Sequence, residues 1–167
     1  VWIDAHPDIT LPGDPYPGYH AMAVTACMGH GDAKIVAELP AAFDPSKILF
    51  VGLRNWERGE IKARQHQYGI KHLTPEEVAA DSDALRAWLK SCGASKVVVH
   101  FDMDVLDPAE IVAAVGTDPD GMKIEAGIRV INDIAAEKEL VGLTVAEPMP
   151  RTAIRLRDML GRLPLLE

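Results

Sequence analysis

Asp4, His6 and Asp8 stand at alternate positions just beyond the apolar start Val1–Ile3, and all three side chains can ligate a metal. On an extended chain, residues i, i+2 and i+4 point the same way. The three can therefore converge if the backbone stays roughly extended past the strand end; an N-cap with surface turn residues is the plainer alternative. A second group, Asp102, Asp104 and Asp107, follows the apolar run Val97–Phe101. Asp102 and Asp104 share a face, and two carboxylates so placed repel unless a cation lies between them or one takes a proton. Left unpaired at the end of a buried strand they would be costly. Asp107 precedes Pro108 and reads as a turn residue, at most a partner to a ligand.

Asp4, Asp8, Asp102 and Asp104 with His6 make four carboxylates and one imidazole. One divalent cation would leave much of that charge uncompensated, whereas two, bridged by a shared carboxylate and a water, would balance it. The donors are hard, rich in oxygen and free of sulfur, which favours Mn²⁺ over Zn²⁺. A pair of ions about 3.5–4 Å apart generates hydroxide at neutral pH and stabilises an oxyanion. That is hydrolase chemistry.

The elements that must hold these groups are short apolar runs alternating with amphipathic stretches. Strands are expected at Val1–Asp4, Lys47–Arg54, Tyr68–Leu73, Lys96–Asp102 and Leu140–Glu147. The nearly continuous apolar character of the last two predicts burial on both faces. Helices are expected over 19–28, 82–93, 123–137 and 151–163. Another is expected to start near Thr74, with Pro75 behind it and Glu77 closing a capping box. Gly93 suits a helix C-terminus. Strand–helix alternation implies an α/β fold with a parallel sheet and right-handed crossovers. The longest loops, Pro7–Gly18 and Asp107–Gly121, follow the strands that carry the carboxylates, where such folds place chemistry.

The 167 residues fit a single domain, 1–167, and a net charge of −8 argues against nucleic-acid or anionic-membrane partners. An acidic protein suits a small cationic substrate. No run approaches the ~18 apolar residues of a membrane span, and no signal peptide is visible. Cys27 and Cys92, far apart, read as reduced thiols of a cytoplasmic protein.

The motifs D-A-H-P-D (4–8) and F-D-M-D-V-L-D-P (101–108) resemble the signatures of the ureohydrolases, arginase, agmatinase and their relatives. Further stretches are similar to the family's: Gly18–Met22, Ile48–Glu60, Asp118–Gly127 and Gly142–Pro150. The flavour is closer to bacterial arginase-like proteins than to agmatinases. The resemblance implies a three-layer αβα fold whose parallel sheet, with strands numbered by appearance, runs 5-4-1-2-3. That order sets strands 1 and 4, which carry both carboxylate groups, at a topological switch point. It also implies a binuclear Mn²⁺ centre with Asp4 and Asp102 bridging, Asp8 completing one ion's set, and His6 with Asp104 the other's. His20 would shuttle a proton to the leaving amine, Glu147 would hold the guanidinium, and Thr10, Glu57 and Glu60 would meet the rest of the substrate. The implied reaction cleaves a guanidino compound to urea and an amine.

This sequence departs from the family pattern in three places. No G-G-D-H-S motif, which carries the family's first metal-binding His, precedes Asp4, so the chain is expected to be the C-terminal part of an arginase-like domain. Thr10 stands where arginases usually carry Asn, and His100 where the family usually has Ser. One metal site and arginine as substrate are both put in question, and an inactive, truncated arginase-like module is an alternative. A metallophosphoesterase is another, since that class also opens with D-x-H. The apolar fifth strand would form an edge, which predicts a homo-oligomer. His30, His66 and His72 read as surface or structural, and His100 as a core histidine or a donor behind the ligands. Trp2, Trp56 and Trp88 read as packing, with Trp56 placed to wall a substrate pocket. Arg54 and Arg151 read as surface ion-pairing residues or carboxylate-steering groups.

Overall fold

Five parallel strands, β1 (Trp2–Ile3), β2 (Leu49–Val51), β3 (Lys71–Leu73), β4 (Lys96–Asp102) and β5 (Glu139–Ala146), form one sheet in the order β3-β2-β1-β4-β5. This is the order expected from the resemblance, read from the opposite edge. The computed structural model describes residues 1–166, and the side chain of Arg151 lies outside the described residues. The helices are α1 (Ala23–Cys27), α2 (Ala33–Val36), α3 (Gly59–Tyr68), α4 (Asp83–Ser91), α5 (Ile124–Glu137) and α6 (Ala153–Leu160).

Two apolar cores flank the sheet. One packs Val97, Val99 and Phe101 of β4 against Leu85 and Leu89 of α4, Val130, Ile131 and Ile134 of α5, and Leu156 and Met159 of α6. The other joins Phe50 to Val24 and Met28 near α1 and to Ile61 of α3. Strand residues alternate between faces, and β2 divides accordingly, with Leu49 and Val51 in the first core and Phe50 in the second. The result is three layers.

Burial on both faces of β4 and β5 is not observed. Val98 is 44% exposed and Val141 48% exposed, because no helix among the described residues covers that side of the two strands. An apolar run of four to eight residues cannot by itself distinguish one buried face from two. The helix α3 was not expected from sequence. Its stretch, GEIKARQHQY, is mostly polar and buries only Ile61 and Gln65. The capping box at Thr74 forms reciprocally, Thr74 N–H to Glu77 Oε2 at 2.8 Å and Glu77 N–H to Thr74 Oγ1 at 3.4 Å, but heads only a 3₁₀ turn, Glu76–Val78. Gly93, with φ +72°, follows α4 as expected.

From β1 the chain winds one way through β2 to β3, and β4 and β5 lie on the other side of β1. The switch point between β1 and β4 opens a crevice at their carboxyl ends. Both carboxylate groups are there.

Candidate metal centre

Extended geometry does not bring the first group together. After β1 the Asp4 amide still bonds Val51 O at 3.1 Å, but the chain then bends. His6 N–H donates to Asp4 Oδ1 at 2.7 Å, and Ala5 O accepts from the amides of Arg54 (3.1 Å) and Asn55 (3.0 Å). Asp8 takes a left-handed conformation, φ +48°. On the other strand Asp102 ends β4 and accepts the Asp104 amide at 3.0 Å, closing a 3₁₀ turn over Met103–Val105. The Ala5 amide donates to Asp104 Oδ1 at 3.1 Å, tying the two strand ends together.

Two donor sets result, Asp4–His6–Asp104 and Asp4–His100–Asp102, each with ligand atoms within 4.8 Å of one another, and Asp4 belongs to both. His6 Nδ1 lies 2.8 Å from Asp104 Oδ2 and 3.6 Å from Asp4 Oδ1. Burial would lower the His6 imidazole, but its bonds to Asp104 and Asp4 outweigh that and push it up to about 11. Asp104 is buried, yet the His6 bond and the Ala5 amide hold it below the usual carboxylate range. Burial, with the Asp104 charge beside it, raises Asp4 to about 6 despite the bonds from His6. Burial together with the charges of Asp104 and Asp4 raises Asp102 to about 8. Asp8 is pushed well above the usual range by burial and by Asp4. One imidazolium balances one carboxylate, and the upward shifts of Asp4, Asp8 and Asp102 reflect burial together with the surplus negative charge crowded there.

These groups floor a cleft of about 380 Å³ whose lining also includes Thr10, His20, Trp56, Glu57, Asp118 and Glu147. Glu57 and Glu147 are exposed at its rim, both with φ +57°. Three of the cleft's acidic side chains, Asp8, Glu57 and Glu147, thus sit on left-handed backbone, a strain that persists where surrounding structure imposes it. His20 is exposed, its Nε2 3.2 Å from the Tyr16 hydroxyl. Thr10 is buried and donates its hydroxyl to Ala21 O at 2.7 Å. Glu60 is outside the cleft lining and pairs with Arg58 Nε at 2.8 Å. Trp56 does wall the cleft, its indole N–H bonded to Gln65 Oε1 at 2.6 Å.

Three residues gain roles that sequence reading did not give them. Asp118 lies 3.2 Å from His6 Nε2 through Oδ2 and accepts Asn55 Nδ2 at 2.7 Å through Oδ1. Its loop was the one long loop after β4 expected to carry chemistry, but nothing in its spacing singled it out. Gly121 lets that loop lie close, because a Cβ there would meet the backbone of Val105–Asp107 at 2.6 Å. Arg54 is neither a surface ion pair nor a steering group. Its guanidinium donates to the carbonyls of Gly52, Asp104, Val105, Asp118 and Pro119, at 2.8–3.3 Å, and staples the cleft loops to the end of β2. His100 is a cleft residue rather than a core one: it is partly exposed and stacks on Trp2 with ring centroids 3.7 Å apart. Asp107 turns away, accepting the Ala109 amide and pairing with Lys123, as a turn residue should.

The donor chemistry fits a hard divalent cation. Asp102 uses one oxygen for the Asp104 amide, and no donor reaches its other oxygen or either oxygen of Asp8 among the described residues. His6 turns Nδ1 into the carboxylates and Nε2 toward Asp118, the arrangement in which a carboxylate orients a ligating imidazole.

A three-layer parallel α/β domain with a carboxylate–imidazole cleft at its switch point is thus in place. The sequence matches the Arginase family over residues 1–158, and the chain belongs to that family. Among curated relatives, the arginase of Entamoeba histolytica is 29% identical over 156 residues, covering 90% of this chain and 52% of the relative. The N(omega)-hydroxy-L-arginine amidinohydrolase of Streptomyces lavendulae is 31% identical over 153 residues, covering 88% and 50%. Among solved structures, Entamoeba histolytica arginase in complex with L-ornithine superposes with a TM-score of 0.80 at 23% identity, over 90% of this chain and 52% of that one. Helicobacter pylori arginase gives 0.79 at 14% identity, over 97% and 60%. At such identities the superpositions establish the fold. The chain spans about half the length of the curated relatives it matches. Nothing in these matches favours a metallophosphoesterase. No helix among the described residues is long and apolar enough to cross a membrane.

Proposed function

We propose that the cleft is a binuclear Mn²⁺ centre that hydrolyses a small guanidino compound to urea and an amine. The observation that carries this is the pair of donor sets sharing Asp4, floored by buried carboxylates and opening toward Glu57 and Glu147. In this reading Asp4 and Asp102 would be shared between the two ions, Asp8 would help hold one, and His6 with Asp104 would help hold the other. When bound, the ions supply a water made nucleophilic at neutral pH.

The remaining steps belong to the chain. Glu147 accepts hydrogen bonds from the guanidinium and orients its carbon toward the metal floor. Glu57 receives a cationic end of the substrate across the rim, and Thr10 meets it as an acceptor, its own proton being given to Ala21. Glu60 joins only on release from Arg58. Water adds to the guanidinium carbon, the bond from that carbon to the substituted nitrogen breaks, and that nitrogen leaves as the amine. His20, held by Tyr16, delivers the proton the leaving amine needs. Trp56 closes one wall against bulk water. The protein acts as a cytoplasmic homo-oligomer, with both cysteines free thiols.

The test is urea release from arginine, agmatine and N-hydroxyarginine by the Mn²⁺-loaded chain, beside Asp102→Asn. Urea from one of them, lost in the variant, supports the reading. Two bound ions without urea from any of them would overturn turnover. That outcome would leave the second reading, a metal-binding module without activity.

A further inference from the structure

His100 belongs to the same face of β4 as Asp102, two residues on, opposite the face that Val97, Val99 and Phe101 give to the core. The sheet register places it between Trp2 of β1 and Thr144 of β5. Both neighbours hold its ring. Trp2 stacks on it at 17° between planes, and the Thr144 hydroxyl lies 2.8 Å from Nδ1. Trp2 also donates its indole N–H to Asp4 Oδ2 at 3.0 Å, so one side chain fixes both the imidazole and the carboxylate that the two donor sets share.

We propose that His100 is a ligand of the second metal position, with Asp4 and Asp102, and that Thr144 orients it. The inference rests on reading the cleft as a metal centre. Each ion position then has its own imidazole: His6 beside Asp104, and His100 beside Asp102, with Asp4 common to both. A ligating histidine is normally fixed through its other ring nitrogen, and the Thr144 oxygen is placed to do this by accepting Nδ1–H, the tautomer that leaves a lone pair on Nε2. Buried Asp102, with one oxygen lacking a donor among the described residues, independently points to an ion at this position. Packing alone would need neither that oxygen left open nor the imidazole beside it.

The experiment loads the full chain with Mn²⁺, counts bound ions per chain after removal of free metal, and records nitrogen couplings to Mn²⁺ by pulsed electron paramagnetic resonance. The same is done for His100→Ala and Thr144→Val. We expect two ions and two coordinated imidazoles in the unmutated chain. His100→Ala should retain the ion at His6 and lose the other. Thr144→Val, at an exposed position, should weaken that second ion about tenfold or more while sparing the first. Two ions in the unmutated chain with a single coordinated imidazole would overturn the assignment of His100 while leaving the metal centre standing, without reference to any variant's folding. So would unchanged stoichiometry and affinity in His100→Ala. No bound Mn²⁺ in the unmutated chain would overturn both readings together.

Discussion

At the scale of single residues, the cleft is organised by competition for one small region of negative charge. Asp104 keeps its charge because His6 pairs with it at 2.8 Å, while Asp4 and Asp102, raised to about 6 and about 8, hold protons that a cation would displace. The sign follows by linkage. A carboxyl whose folded value is raised contributes stability that is present at low pH and lost as pH climbs through that value. Without metal, Asp4 and Asp102 keep protons in the folded chain that the unfolded chain has already released, so both should cost stability as pH rises from about 4, Asp4 until about 6 and Asp102 until about 8. His6, raised to about 11, adds to that loss above about pH 6.5, where only the unfolded imidazole gives up its proton. His100 and the Val1 amine, lowered by burial to about 4 and about 5, act with the opposite sign below their unfolded values. Paired carboxyls such as Asp14 with Arg64 and Asp107 with Lys123 are lowered and titrate below this window. Mn²⁺ binding must release protons near neutrality. Thermal scans should show a Mn²⁺-induced rise in Tm that is larger at the upper end of this window than at the lower. An equal or smaller rise there would contradict the protonated-carboxyl account.

At the scale of elements, β2, β4 and β5 were legible as short, nearly continuous apolar runs, and α5 because its apolar residues recur with the helical period. The helix α3 was not, since only Ile61 and Gln65 face inward and its remaining residues carry no periodic signal. Asp4 and His6 share a donor set and Asp8 lines the same cleft outside both sets, but not through the extended geometry expected. A bend fixed from Arg54 and Asn55 does what an extended strand was expected to do. Nothing local in the sequence reveals that bend, because its partners lie some fifty residues away. The same distance hid Asp118, which reaches His6 where Arg54 ties its loop to Asp104 and Gly52 and Asn55 holds its carboxylate. Removing that staple should be felt twice. Arg54→Ala takes a donor from five carbonyls, of which Val105 O keeps the Met122 amide, and should lower stability by about 3 kcal/mol, read from the urea midpoint at unchanged slope. It should also weaken Mn²⁺ binding by releasing the loops that carry Asp104 and Asp118. Arg54→Lys should recover little, because a single ammonium cannot reproduce a planar fork. A loss within about 0.5 kcal/mol for Arg54→Ala would rule the staple out.

At the scale of the whole molecule, the two sheet edges differ in kind. β3 is three residues long and offers Lys71 and His72, a short polar edge that discourages pairing. β5 is eight residues long, with Leu140, Val141, Leu143 and Val145, and pairs only with β4 among the described residues. Its one ion pair, Glu139 with Lys96 at 3.8 Å, lies at the strand's start and leaves the apolar stretch unguarded. A long apolar edge with free backbone donors and acceptors is a template for another chain, so copies are expected to associate through β5. The net charge of −8 opposes that approach, and salt screens the repulsion. Association should therefore strengthen as ionic strength rises, the reverse of an interface built on ion pairs. Sedimentation velocity across a salt series would show this as a growing oligomer fraction, and Val141→Lys, which sets a charge on the edge, should return the protein to monomer. A monomer at high concentration and high salt would eliminate the edge as an interface. An oligomer indifferent to Val141→Lys would place the contact elsewhere on the surface.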